Sequence, residues 1–170
     1  MKTAALVPLE EYLRTTYRPD CDYVDGEVIE RNVGERDHGK LQGEIYFYFR
    51  LRAAKWNVRV YLEQRVQVSA SRFRVPDVCV VLGKEPDEQV FTKPPFICIE
   101  VLSPDDRLGR VQQRVDDYLK FGVPNVWVLD PWSRRAWVYD TEGSREVKDG
   151  FLRTAEPAME IPLSELFETS

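Results

Sequence analysis

Residues 96 to 102 read FICIEVL, and six of these seven side chains are apolar. A run without polar alternation is what a strand covered on both faces requires, so the sheet it joins must carry packed structure on either side. The exception is Glu100. An isolated carboxylate in such a strand loses its hydration at a cost of several kcal/mol or more. Glu100 therefore sits where the strand reaches water, or it has a partner. That partner is a cation, a hydrogen-bond donor or a metal ion.

The rest of the chain supplies what a doubly covered sheet needs. Its 170 residues are enough for one domain with a proper core, and the reading is a single domain over 1–170. With 43% hydrophobic and 31% charged residues it has a globular composition. PLEEYLRTT reads as a first helix with Pro8 at its start. DYVDGEVIE is a hairpin, because Asp25-Gly26 sits between β-prone flanks. From His38 to Ala54, Leu41, Ile45, Tyr48 and Phe49 recur at helical spacing. VRVYLEQRVQV, residues 58–68, alternates and reads as one half-exposed strand. VPDVCVVL and FICIEVL are buried strands joined by a polar loop.

SPDDR reads as the start of a helix over 105–121, capped by Ser103 or Asp105, with Gly122 as its stop. NVWVLDP and RAWVYD are two further strands, and the last stretch is a short strand, a turn and a short helix. Strand 96–102, the helix and strand 125–130 fit a right-handed crossover between parallel strands. The fold class is thus α/β: one mixed β-sheet flanked by helices.

Bulk chemistry excludes some functions. No apolar stretch approaches the roughly 18 residues of a membrane helix. MKTAALVPLEEYL is a poor export signal, which favours the cytoplasm. Cys21, Cys79 and Cys98 form no CxxC and there is one histidine, His38, so a zinc site is not expected. Net charge is −5, so nucleic acid would have to be met through a local basic patch.

Asp77 begins one buried strand and Glu100 lies near the end of the next. If these strands form a hairpin, both carboxylates lie at one end of the sheet, although the register that sets their facing is not fixed by sequence. Two carboxylates beside a main-chain carbonyl, with Val101 supplying the carbonyl, make a hard oxygen site suited to Mg²⁺ or Mn²⁺. Such an ion can activate water and offset phosphate charge. Taken singly, each acid also reads as a turn or surfacing residue; the pairing favours function.

VPDVCVV, PPFICIEVLSPDDR, the helix with Tyr118 and GVPNVWVLDP, with LEEYL, YVDGEV and a helix opened by His38, resemble the Uma-type restriction-endonuclease family. That family belongs to the PD-(D/E)xK nuclease-like superfamily, and the resemblance spans roughly residues 8–168. It implies a restriction-endonuclease-like core, DNA as partner, and Asp77 and Glu100 as metal ligands. It also implies a basic residue that positions water or offsets charge. The superfamily's lysine place, two after the acid, holds Leu102. The family's alternative place, four before the tyrosine, holds Arg114. An arginine keeps the charge but cannot give up its proton. Gln113 is a second candidate for holding water.

Arg107, Arg110 and Arg114 share a helical stripe that reads either as a solvated face or as a phosphate patch. Glu63 is a possible third acid at the cleft, or a solvated strand residue. His38, at a helix N-terminus where the dipole disfavours a proton, reads either as a proton carrier or as a capping or packing residue. Glu44 is a weaker candidate. Trp127, Trp132, Trp137 and Tyr139 are expected to pack the sheet, its edge or a dimer contact. The leading expectation is a metal-dependent DNA endonuclease, with a homodimer to cut both strands. Its rival is a catalytically weakened nuclease fold that binds nucleic acid or protein, and a dimer without chemistry remains as a third.

Overall fold

The structure is a computed structural model that describes residues 5–32 and 34–167. It is an α/β domain with mixed sheets flanked by helices. Helix α1 (Leu9–Arg14) precedes a hairpin of β1 (Cys21–Val24) and β2 (Glu27–Glu30). The turn follows the sequence: Asp25 and Gly26 have φ of 50° and 97°, the left-handed pair a two-residue hairpin turn needs. Helix α2 (Arg36–Trp56) comes next, then β3 (Val58–Leu62), β4 (Val66–Ser69), β5 (Arg72–Arg74), β6 (Val78–Leu82) and β7 (Ile97–Val101). Helix α3 (Leu108–Phe121) leads to β8 (Asn125–Asp130), β9 (Arg135–Asp140), β10 (Gly143–Glu146), β11 (Phe151–Thr154), β12 (Met159–Pro162) and α4 (Leu163–Phe167).

The strands form more than the one sheet expected. A six-stranded sheet has the order β10-β9-β8-β7-β6-β3, a four-stranded sheet the order β2-β1-β5-β4, and β11-β12 is a separate hairpin. In the central sheet β7 and β8 are parallel, with α3 as the crossover between them; its other pairs are antiparallel. Residues 58–68, expected as one strand, split because Glu63 adopts φ 48° after β3. The chain turns there, and β4 joins the other sheet. Alternation survives the break because both halves have one buried and one open face, so the pattern does not reveal it. The helix over 105–121 begins instead at Leu108, and neither Ser103 nor Asp105 caps it. Residues 103–106 form a turn closed by the Ser103 N–H donating to Asp106 Oδ2 at 2.7 Å and the Asp106 N–H donating to the Ser103 carbonyl at 3.0 Å. At its other end Gly122 sits at φ 105°, the left-handed stop that glycine accommodates.

Both faces of β7 are covered, as the apolar run requires. Ile97, Ile99 and Val101 pack with Leu41, Ile45 and Phe49 of α2 and with Trp127. Cys98 packs with Val111, Val115 and Tyr118 of α3 and with Val66 and Val68 of β4. Trp137 and Tyr139 pack against that second cluster, whereas Trp132 is 44% exposed. Cys21, Cys79 and Cys98 are buried free thiols. No helix among the described residues is long and apolar enough to cross a membrane.

Candidate active site

The register that sequence leaves open is now defined. Val78 pairs with Ile99 and Cys79 with Cys98. One further step sets Asp77 opposite Glu100, on the same face as Cys79 and Cys98 and hence toward α3. The two acids meet at the end of the β6-β7 pair, Asp77 2% and Glu100 0% exposed. Asp77 Oδ2 accepts the Val101 N–H at 2.7 Å. Its Oδ1 accepts from Arg31 Nη2, with His38 Nε2 3.4 Å away. Glu100 Oε1 accepts the Tyr118 hydroxyl at 2.7 Å. Glu100 Oε2 lies 3.1 Å from Arg114 Nε and 4.0 Å from Arg31 Nη2. The distance to Arg114 Nε suits an ion pair, but the two atoms are not aligned, and both lack a hydrogen-bond partner.

These contacts drive the two acids apart. Burial alone would raise the Asp77 carboxyl, but Arg31 and then His38 pull it down to about 2. Burial pushes the Glu100 carboxyl up, to about 7; Arg114 opposes the rise and Asp77 adds to it. His38 differs from the helix-dipole expectation. Burial and Arg31 disfavour its proton, but the Asp77 carboxylate outweighs them and its pKa is raised.

The acids open onto a cavity of about 200 Å³ that also takes in Arg31, His38, Gln42, Glu63, Val101 and Arg114. They come from several elements and their flanks. Helix α2 brings His38 and Gln42, and Gln42 Nε2 donates to the Asp77 carbonyl at 3.0 Å. Glu63 follows β3 in its left-handed bend, with Gln42 Nε2 3.5 Å from its Oε1. Helix α3 contributes Arg114, whose Nη2 also donates to Asp106 Oδ1 at 3.2 Å, and Tyr118 one turn on. Burial works against the Arg114 charge, but Glu100, Asp22 and Asp106 together more than offset it and its pKa is raised.

The remaining candidates fall elsewhere. Arg107 and Arg110 are exposed and line an adjoining crevice shared with Arg31 and Arg114. Gln113 is exposed and outside the cavity, one residue and about 100° round the helix from Arg114. Glu44 also lies outside the lining. Sequence reasoning missed Arg31, Gln42 and Asp106. Arg31 follows a strand in an irregular segment, where no periodicity places a side chain. Gln42 had a findable signal, since it lies one turn after His38 on the same helical face.

Among the described residues, no three His, Cys, Asp or Glu side chains converge as a metal cluster. The oxygen donors at the sheet end are two carboxylates and a main-chain edge. Magnesium and manganese accept such a set because they keep several waters. Glu100 Oε2, buried and without a hydrogen-bond donor, is the atom that fits a cation best. The guanidinium of Arg31 lies beside the same point.

The sheet end thus gathers two buried acids and two guanidiniums within an α/β domain of this topology. The family described as "Uma2: Putative restriction endonuclease" matches residues 9–167. The chain belongs to that family. Among solved structures, a "putative nuclease belonging to DUF820" from Anabaena variabilis ATCC 29413 superposes with a TM-score of 0.83 at 22% identity, covering 95% of this chain and 98% of that one. The shared fold therefore extends over nearly the whole molecule. A search of the curated proteins found no match.

Proposed function

We propose that the protein is a Mg²⁺- or Mn²⁺-dependent endonuclease that hydrolyses phosphodiester bonds in DNA, with the whole chain forming one PD-(D/E)xK-like domain. The observation that carries this reading is the Asp77–Glu100 pair: two buried acids set opposite each other across adjacent strands, opening onto one cavity. Asp77, Glu100 and the Val101 carbonyl would hold the ion. When bound, the ion supplies a Lewis-acid centre that activates water and offsets phosphate charge.

The chain's own groups do the rest. The Val101 N–H and Gln42 fix Asp77, the acid through its carboxylate and the backbone through its carbonyl. Tyr118 fixes Glu100. Arg114, tied to Asp106, presents a permanent positive charge where negative charge develops on the phosphoryl oxygens. Glu63 and His38 border the cavity as accessory groups, and Arg107 and Arg110 extend the positive edge along which the phosphate backbone runs. Gln113 has no part in this reading, because it lies outside the cavity. Three buried free thiols accord with action in the cytoplasm, and two copies would cut both strands.

Asp77→Asn keeps the shape and removes the charge. It is expected to abolish metal-dependent cleavage of a plasmid or oligonucleotide, and undiminished cleavage refutes the assignment.

One observation favours a second reading, a weakened nuclease fold that binds nucleic acid or protein. Both acids already face buried guanidiniums, and an arginine holds the family's lysine place. Arg114→Lys separates the two: a large rise in cleavage marks a decayed enzyme, and a fall marks an adapted one.

A further inference from the structure

Arg31 occupies a position that nothing in the sequence assigns to it. Its side chain is 12% exposed and enters the cavity from the segment after β2. One nitrogen, Nη2, bonds Asp77 Oδ1 and stands 4.0 Å from Glu100 Oε2. These are oxygens of the two acids proposed to share an ion, and Glu100 Oε2 has no hydrogen bond of its own. The cations facing the pair are Arg31, Arg114 and, when protonated, His38; Asp106 engages Arg114 through Nη2. Two acids are thus balanced by two permanent charges before any metal arrives.

We propose that Arg31 is an internal counter-cation of the Asp77–Glu100 pair, which a divalent ion must displace, and that the displaced guanidinium passes to the incoming phosphodiester. This rests on the reading of the pair as a metal site and concerns how that site is filled. An ion and a guanidinium nitrogen cannot share one position against Asp77 Oδ1, and like charges about 4 Å apart repel strongly in a partly buried site. Arg31 cannot escape by deprotonation, since guanidinium keeps its proton in proteins. Once moved, it needs an anion in the cavity, and a phosphodiester has the matching forked oxygens. Metal and nucleic acid then bind cooperatively, each raising the other's affinity by the same factor.

The test is calorimetric titration of Mn²⁺ into the full chain, without turnover. Wild type, Arg31→Gln, Arg31→Met and Asp77→Asn are compared, with folding of each checked by circular dichroism. Each is titrated alone and with a short phosphorothioate DNA duplex that resists cleavage. The expected result is Mn²⁺ binding on the order of tenfold or more tighter in the charge-removed variants than in wild type, absent in Asp77→Asn. DNA should tighten Mn²⁺ binding in wild type, and by a smaller factor once Arg31 is gone. Arg31→Met serves if Arg31→Gln does not fold. Equal or weaker Mn²⁺ binding in the Arg31 variants, with wild type binding through Asp77, overturns the proposal and leaves the metal site standing. No Mn²⁺ binding in any form, the Arg31 variants included, overturns both.

Discussion

Replacing Arg74 by methionine removes the charge that clamps α3 to the four-stranded sheet. Arg74 is 2% exposed, its Nε donates to Asp117 Oδ2 at 2.8 Å and its Nη1 donates to Asp22 Oδ2 at 2.9 Å. Asp22 lies on β1 and Asp117 on α3, so one side chain joins both. Breaking a buried pair by removing one partner costs about 3–5 kcal/mol, because a charge is left uncompensated. Here each acid retains a donor. Asp22 Oδ1 accepts the Val75 N–H at 3.0 Å, and Asp117 Oδ1 accepts Arg72 Nη1 at 2.9 Å. The lower end, about 3 kcal/mol, is therefore expected. With a urea m-value of about 2 kcal/mol/M, the midpoint should fall by about 1.5 M. The assay is equilibrium urea unfolding followed by tryptophan fluorescence, with circular dichroism to check two-state behaviour. A second variant, Arg74→Met with Asp22→Asn and Asp117→Asn, should recover more than half of the loss, since no buried charge is then stranded. A shift below about 0.5 M in the single variant would mean that the cluster is not the clamp described here.

The remaining predictions concern the surface and the thiols. Arg107→Ala and Arg110→Ala should each leave stability nearly unchanged, weaken DNA binding across sequences, and reduce the slope of log K against log salt by about 1, read by fluorescence anisotropy at several salt concentrations; an unaltered slope removes them from the DNA edge. Burial pushes the Cys79 and Cys98 thiols well up, so a thiol reagent at pH 8 should label them only after denaturant is added. Rapid labelling of either in the native protein would contradict the packing of β6 against β7.

Much of this arrangement is legible before any coordinates. The Asp25-Gly26 turn, the helical spacing of Leu41, Ile45 and Phe49, and the apolar run 96–102 each report a local rule that the fold obeys. The parallel crossover follows from a helix between two buried strands. What fails to show has physical causes. β5 is three residues long and carries Arg72 and Arg74, charges that mask a strand whose middle residue, Phe73, is buried. β10 is almost wholly exposed, so it has no apolar alternation to detect. The split at Glu63 depends on one backbone angle. At the candidate site, the sequence places Asp77 and Glu100 at one end of a strand pair, but the register that turns them to the same face comes only from the structure. Arg31 is not placed by the sequence, because its position depends on long-range packing of an irregular segment.

Glu100 has more than one of its possible partners. Tyr118 supplies a hydrogen bond, and Arg114 and Arg31 supply charge. Stability alone is a poor reason for that investment of groups. A buried ion pair often contributes no more than a well-packed apolar side chain of similar volume, and the neighbours Ile99 and Val101 show that this strand accepts such side chains. The arrangement is also incomplete as a structural device. Glu100 Oε2 and Arg114 Nε are both buried, lie 3.1 Å apart and are not aligned to bond. A network built for rigidity would satisfy both atoms, since half-satisfied buried groups weaken a core. An acid held at raised pKa beside an open cavity, with its opposite neighbour held low by a different arginine, has the asymmetry expected of a site that must exchange partners. The unsatisfied oxygen is the point at which an incoming cation would gain most, and Arg31 already leans toward it.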